Sequence, residues 1–250
     1  MTALSPAQWA WAIAAISFAA VLRGFTGFGF AVAAVPLASL VLPPGVTVAA
    51  ALLMQTAIGL RDCIAERHRA DWRSVRWLIA GAVVGTPFGL ALLTFLPTAW
   101  VRLGLGLMVL ATVAITSRPA RTQRMPERSW GLATGLCSGI SNGLAAMAGP
   151  PAIAYFLALR ADRDVMRSSL MVLFPLVSAL ALPPAAWAGL LTRDALLLAA
   201  LGLPLMVTGG WFGARLFRRH GARGYRPVAI IALGATATAA ILRGLAGLLA

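Results

Sequence analysis

The sequence is poor in charged residues and contains no lysine. Charged residues make up 11% of its 250 positions, whereas a typical soluble domain has roughly 25%. All basic residues are arginine, only seven residues are acidic, and long apolar runs recur from end to end. This composition excludes an ordinary soluble protein and predicts an all-α polytopic membrane protein with a single transmembrane domain over residues 1–250.

Cysteine and histidine are also scarce, with two of each. Cys63 and Cys137 form no CxxC or Cys/His cluster, so we expect no metal site, no disulfide framework and no cofactor. No Ser/His/Asp or Cys/His set falls within an apolar segment, which makes an integral-membrane enzyme the weakest functional class. The net charge of +14 comes mainly from arginines in short loops. It therefore indicates membrane topology rather than a nucleic-acid partner.

Carboxylates are missing from the centres of all predicted membrane segments. Proton relays in membrane pumps usually use Asp, Glu or His within the membrane. Their absence argues against a cation carrier or a carboxylate-based proton antiporter, and it leaves Arg23 as the one predicted buried charge. We therefore expect an anionic substrate. The acidic residues, all assigned to loops or segment ends, are Asp62, Glu66, Asp71, Glu127, Asp162, Asp164 and Asp194.

Two apolar segments are too long for one membrane-spanning helix. Residues 8–42 and 130–159 would form straight helices of about 50 and 45 Å, whereas the hydrocarbon core is about 30 Å thick. The remaining apolar segments each have the length of one span: 43–60, 77–96, 99–117, 168–191, 195–214 and 228–249.

Arginine-rich loops predict the topology. By the positive-inside rule these loops lie in the cytoplasm, and segment 130–159 is therefore best interpreted as a hairpin of two helices joined at a break. We interpret 8–42 as a corresponding hairpin, since the turn after it, at 42–45, is uncharged. The first hairpin then begins and ends outside, and the second begins and ends in the cytoplasm. Each hairpin either crosses fully or is re-entrant. The arginine-rich loops are 61–76, 118–128, 160–167 and 215–226.

The two hairpins contain related sequences 115 positions apart. "RGFTGFGFAVAAVPL" (23–37) aligns with "SGISNGLAAMAGPPA" (138–152), with glycine, Thr/Ser, alanine and proline in register. This predicts two inverted-topology repeats, about 8–117 and 130–249, each a broken hairpin followed by three transmembrane helices. Inverted repeats with broken helices are typical of secondary transporters. Chance similarity between two Gly/Ala-rich segments is the alternative.

The predicted breaks, at 24–29 and 139–143, expose backbone groups that must line a cavity rather than face lipid. The half-helix after each break offers free N–H groups to an anion, and glycines allow a close approach. Arg23 either binds the substrate or only ends a helix and reaches an interface. Gln55 either lines the cavity or forms a helix–helix hydrogen bond. The candidate substrate-binding residues are Arg23, Gly24, Thr26, Gly27, Phe28, Gly29, Gln55, Gly139, Ser141, Asn142 and Gly143.

Other glycines have the spacing of close helix packing. The series Gly81, Gly85 and Gly89 and the pair Gly209 and Gly213 follow the small-xxx-small pattern. Such faces are compatible with a homodimer, and the sequence leaves the oligomeric state open.

The two glycine motifs, each followed by three helices, resemble the sulfite exporter TauE/SafE family of membrane permeases. The resemblance covers nearly the whole chain. It implies a multi-pass protein of the bacterial cytoplasmic (inner) membrane that exports sulfite, small organosulfonates or related anions, and it implies Gly24, Gly27, Gly29, Gly139 and Gly143 as the substrate region.

The sequence departs from the usual family pattern. Many members have consecutive glycines in each motif, whereas these copies read "GFGF" and "GLAAMAG". Phe28, Phe30 and Met147 would make the cavity bulkier and more apolar. From the broken repeats and the family resemblance together, we expect a secondary transporter that exports a small sulfur-containing anion by alternating access. A passive anion channel of the same fold and a carrier for another small organic anion are the alternatives.

Overall fold

The computed structural model describes residues 4–26, 29–117 and 127–249; within these ranges, the side chains of residues 25–26, 116–117, 127, 163, 217–233, 236 and 249 are not described. The described residues form helices and no strand, which confirms the predicted all-α fold. The helices are α1 Pro6–Thr26, α2 Phe30–Ser39, α3 Pro44–Glu66, α4 Trp72–Phe95, α5 Thr98–Ser117, α6 Glu127–Ala145, α7 Gly149–Ala158, α8 Arg163–Trp187 and α9 Arg193–Leu249.

Several of these helices are long and apolar enough to cross a membrane. Within the described part of the chain there are five: Pro44–Glu66, Trp72–Phe95, Thr98–Ile115, Asp164–Trp187 and Arg193–Leu216. Their apolar residues match the hydrocarbon region in length. This confirms the multi-pass membrane class.

The antiparallel pair α3 and α8 defines two ends of the helix bundle. The Ser168 hydroxyl donates to Glu66 at 2.7 Å, and Leu190 lies beside Gly45. The arginine-rich end holds the α3–α4 and α7–α8 turns, which are joined where the Asp71 N–H donates to Ser169 Oγ at 2.9 Å. The opposite, arginine-poor end holds the α2–α3 and α8–α9 turns.

Both long apolar segments form two helices joined at a break, as predicted, and the two hairpins open at opposite ends. Trp11 Nε1 donates to the Leu37 carbonyl at 2.8 Å, so α1 begins and α2 ends at the arginine-poor end. In the second hairpin the Tyr155 hydroxyl lies beside Gly131 and donates to Ser74 Oγ at 3.3 Å. Because Ser74 is in the first turn of α4, α6 begins and α7 ends at the arginine-rich end.

The second break lies further along the chain than predicted. The predicted position at 139–143 is wrong, because α6 continues through it to Ala145 and the chain breaks at 146–148. Ala146 has a left-handed backbone conformation with φ of 54°. The glycines of the predicted stretch serve another purpose: they let α6 pack closely on α4.

Glycines bring α4 and α6 into backbone contact. Gly81, Gly85 and Gly89 of α4 face the α6 backbone, and a Cβ on any of them would overlap backbone atoms there. The predicted packing role of this series is confirmed. The glycines on the facing side of α6, which meet α4 in the same way, are Gly135, Gly139 and Gly143.

The helix α9 contains two passes. Its first part packs on α1, where Gly213 lies against Val21, and its last part packs on α5. Both ends of α9 lie at the arginine-poor end, because Arg193 follows the turn beside Gly45 and Gly247 lies beside Ala99. A straight helix of 57 residues would instead extend about 85 Å. The two passes agree with the two separate apolar segments predicted here.

The helix α3 extends beyond its predicted segment, 43–60, and includes two acidic residues that were expected in a loop. Glu66 is the last residue of α3 and Asp62 lies one turn before it, so both are at a segment end rather than in the loop. A hydropathy criterion ends a segment at the first charged side chains, but a helix continues where those side chains find partners. Asp62 pairs with Arg23, and Glu66 accepts from the Ser168 hydroxyl.

Candidate functional site

A small polar cavity lies where α1, α2, α3 and α8 meet. Its volume is about 30 Å³, which is room for about two water molecules. Three of the predicted site residues, Arg23, Gly29 and Gln55, line this one cavity. The full lining is Arg23, Gly29, Phe30, Gln55, Gly59, Asp62, Met171, Phe174 and Pro175.

Arg23 forms an ion pair across this cavity. It lies in the last turn of α1, and its Nη2 donates to Oδ2 of Asp62 on α3. The two side chains are 18% and 23% exposed. An unpaired arginine at the centre of a membrane helix costs about 2.5–3.5 kcal/mol, and the carboxylate reduces that cost. The inference that the only buried charge is positive is therefore wrong, because the site holds charges of both signs.

The N-terminal end of α2 forms another wall of the cavity. Gly29 precedes the helix with φ of 93°, a conformation that L-residues rarely adopt. Among the residues that the structure describes, no side chain caps this helix end. The first N–H groups of α2 therefore contribute a partial positive charge beside Arg23.

Gln55 connects the cavity to the second helix break. Its Nε2 donates to the Ala146 carbonyl at 3.1 Å. The contact joins α3 to the backbone between α6 and α7. Of the two roles predicted for Gln55, the structure shows both, since the side chain lines the cavity and also forms an interhelical hydrogen bond.

The other described candidates lie away from this cavity. Gly24 packs against Gly210 of α9, where a Cβ would overlap the carbonyl. Gly139 and Gly143 belong to the α4–α6 contact. Asn142 is buried and its Nδ2 donates to the Val177 carbonyl at 3.2 Å, and the Ser141 carbonyl accepts from the Met147 N–H at 3.3 Å. The predicted candidates Gly27, Phe28 and the side chain of Thr26 lie outside the described residues.

Sequence reasoning missed half of the charged pair and the contribution of α8. Residues at positions i, i+4 and i+7 lie on one face of a helix, and this is the spacing of Gln55, Gly59 and Asp62. The sequence could therefore have indicated that Asp62 lies on the same face of α3 as Gln55. The α8 residues Met171, Phe174 and Pro175 carry no polar signal, and only packing brings them to the cavity. Among the described residues, no group of three or more His, Cys, Asp or Glu side chains could hold a metal ion.

These features define a multi-pass membrane protein with a polar site beside a helix break. The model of the family described as Sulfite exporter TauE/SafE matches residues 12–240, and the chain belongs to this family. A protein of Cupriavidus necator, named "Probable sulfite/organosulfonate exporter TauE", is 25% identical over 196 residues, which cover 76% of this chain and 77% of the relative. No solved structure gives a significant match. The protein is a multi-pass protein of the bacterial inner membrane.

Proposed function

We propose that the protein is a secondary transporter that exports a small sulfur-containing anion, sulfite or an organosulfonate, by alternating access. One observation carries the proposal: a guanidinium, an amide and the N-terminus of a short helix meet in one cavity within the membrane domain. All three are groups that bind oxyanions. The name of the Cupriavidus necator relative supports the same class of substrate.

Arg23 supplies the charge that selects an anion. A guanidinium donates several N–H groups in a plane, which suits the oxygens of a sulfite or sulfonate group. The N–H groups at the start of α2 add neutral donors at the positive end of a helix. The apolar side chains of Phe30 and Phe174 border the same cavity and would contact the carbon chain of an organosulfonate.

Alternating access would use the two hairpins. They open at opposite ends of the bundle, which supports an arrangement of two inverted repeats, about 8–117 and 130–249. Gln55 links the cavity to the second break through the Ala146 carbonyl. Movement at one break can therefore alter the cavity formed at the other.

The membrane potential gives export a driving force. With the cytoplasm negative, moving one anion outward releases about 2.3 kcal/mol per 100 mV. We therefore propose that export can proceed as uniport. Dependence on a proton gradient alone, with no response to an imposed potential, would contradict this part of the proposal.

Thermal unfolding of the purified protein tests substrate class and site together. The anions to compare are sulfite, thiosulfate, sulfoacetate, taurine and chloride. At about 100 times its Kd, a true substrate should raise the midpoint by about 5–10 °C. Arg23→Gln should abolish the shift, while Arg193→Gln, an exposed arginine at the opposite end of the bundle, should retain it. If none of the sulfur oxyanions raises the unfolding midpoint, that result would count against the proposal.

Flux measurements in proteoliposomes separate a carrier from a channel. A carrier should show saturating flux, and internal unlabelled anion should accelerate uptake of labelled anion. A channel would show neither behaviour, and that result would replace alternating access with passive conduction.

A further inference from the structure

The Arg23–Asp62 pair lies nearer than Gln55 to the arginine-rich end of the bundle. Asp62 lies seven residues after Gln55 on α3, a distance of about 10 Å along the helix, and α3 ends shortly afterwards at Glu66. Gln55 marks the level of the second break, because it donates to the Ala146 carbonyl. The ion pair is therefore on the side from which a cytoplasmic anion would arrive.

The cavity is small while the pair is formed. Its volume is about 30 Å³, which is room for about two water molecules. The polar part of the lining consists of Arg23, Asp62 and Gln55. Within this lining, the Asp62 carboxylate already places an anionic oxygen on the Arg23 guanidinium.

A carboxylate and a sulfonate offer the same chemistry to Arg23. Each presents anionic oxygens to guanidinium N–H groups, so one can replace the other. Glu66, the next acidic residue on α3, has another partner, since it accepts a hydrogen bond from the Ser168 hydroxyl. It does not line the cavity.

We infer that Asp62 is an internal counter-ion, which holds Arg23 in the anion-free state and which the substrate anion replaces. The inference rests on the proposed function. It has a consequence for the transport cycle: the empty site is electrically neutral, so the empty carrier can return across the membrane. The protein then performs net export rather than obligatory exchange of one anion for another.

The substitution Asp62→Asn distinguishes net export from anion exchange. Removing the competing carboxylate should tighten anion binding by about tenfold, because less of the protein is held in the closed, binding-incompetent form. The empty site would then carry an uncompensated arginine, which should slow net efflux by about tenfold or more. Exchange of internal for external anion should persist, since Arg23 carries an anion in both directions.

The experiment compares net efflux, anion exchange and anion Kd for the same proteoliposome preparations, with the best anion from the thermal screen as the probe. Asp62→Glu should restore net efflux, since it restores the charge. Glu66→Gln is the matched control, one turn further along α3, and should leave all three values near those of the wild type. If Asp62→Asn does not fold, Asp62→Ser, which removes the charge and admits water, is measured with the same expectations.

Several results would overturn the inference. An Asp62→Asn protein with unchanged net efflux would show that the carboxylate is dispensable. Equal loss of efflux, exchange and binding, or failure of both neutral variants to fold, would assign Asp62 a purely structural role. A wild type that catalyses exchange but no net efflux would leave the proposed transport function intact and refute the counter-ion. Absence of any anion binding or flux in the wild type would refute both.

Discussion

Gly29 is the residue on which the conformation of the first helix break depends. Its φ of 93° is accessible to glycine without penalty and strains any L-residue. We predict that Gly29→Ala lowers the free energy of unfolding by about 1–2 kcal/mol. Equilibrium or thermal unfolding in detergent measures this change.

Gly104 provides the matched control for that substitution. It lies within α5, where an added Cβ would make ordinary contact with Leu144 at 3.7 Å. Gly104→Ala should therefore stabilise the protein, by about 0.5–1 kcal/mol. If the two substitutions change the free energy of unfolding equally, backbone strain at Gly29 does not explain the effect of Gly29→Ala.

The two charged residues of the site differ in how well the sequence indicates them. Arg23 could be selected as a site residue because an arginine beside three glycines in an apolar segment is unusual. Asp62 could not be selected by counting charges in segment centres, since hydropathy placed it in a loop. The two residues are 39 positions apart, and only the tertiary arrangement of the helices brings their charges together.

At the scale of helices, the contact between α4 and α6 is decided by glycine. A Cβ on Gly85 would overlap the Leu136 carbonyl, and one on Gly135 would overlap the Leu78 carbonyl. We predict that Gly85→Ala and Gly135→Ala each destabilise the protein by about 1–3 kcal/mol, because backbone atoms cannot move aside as side chains can. The midpoint and enthalpy of thermal unfolding report the loss.

The control for this contact is Gly234→Ala in α9. An added Cβ there meets no atom of the described residues within 4 Å, so this substitution should leave stability unchanged or slightly raised. Destabilisation of the same size in all three variants would indicate a general effect of replacing glycine in detergent rather than a specific helix contact.

The helices also show why one break was located and the other was misplaced. Glycine weakens a helix and equally permits close packing, and a sequence does not distinguish these uses. At Gly29 a backbone conformation that favours glycine precedes the start of α2. At Gly139 and Gly143 the same residue type lies within α6, where α4 covers it. The second break instead occurs at Ala146, for which the sequence carries no glycine signal.

At the scale of the whole molecule, the two hairpins should open on opposite sides of the membrane. In a variant with Cys63 and Cys137 replaced by serine, we predict that Ser5→Cys reacts with an impermeant maleimide from outside and Ser129→Cys only from the cytoplasm. The physical reason is the excess of arginine at one end of the bundle. Labelling of intact cells and of inverted vesicles measures each side.

Two exposed positions calibrate the topology experiment. Pro43→Cys marks the arginine-poor end and His68→Cys marks the arginine-rich end. Reaction of Ser5→Cys and Ser129→Cys from the same side would contradict the opposed hairpins and, with them, the proposed inverted repeats.

Composition and local sequence patterns are enough to define the class of protein. Scarce charge, apolar runs of membrane length and loop arginines follow from local composition, and bilayer thickness converts that composition into helices with defined ends. The paired motifs and the resemblance that they carry were also readable from the sequence, because they are short patterns of neighbouring residues. The family model that matches residues 12–240 confirmed that reading.

The set of residues that share the site became visible in the packed structure. It brought Arg23, Gly29, Gln55 and Asp62 to one cavity and directed Gly24, Gly139 and Gly143 into helix contacts. The physical reason is that helix packing depends on how complementary surfaces fit in three dimensions, whereas hydropathy and spacing describe one helix at a time. A buried cation therefore acquired its counter-ion from another helix, and the partner became visible only when the helices were packed.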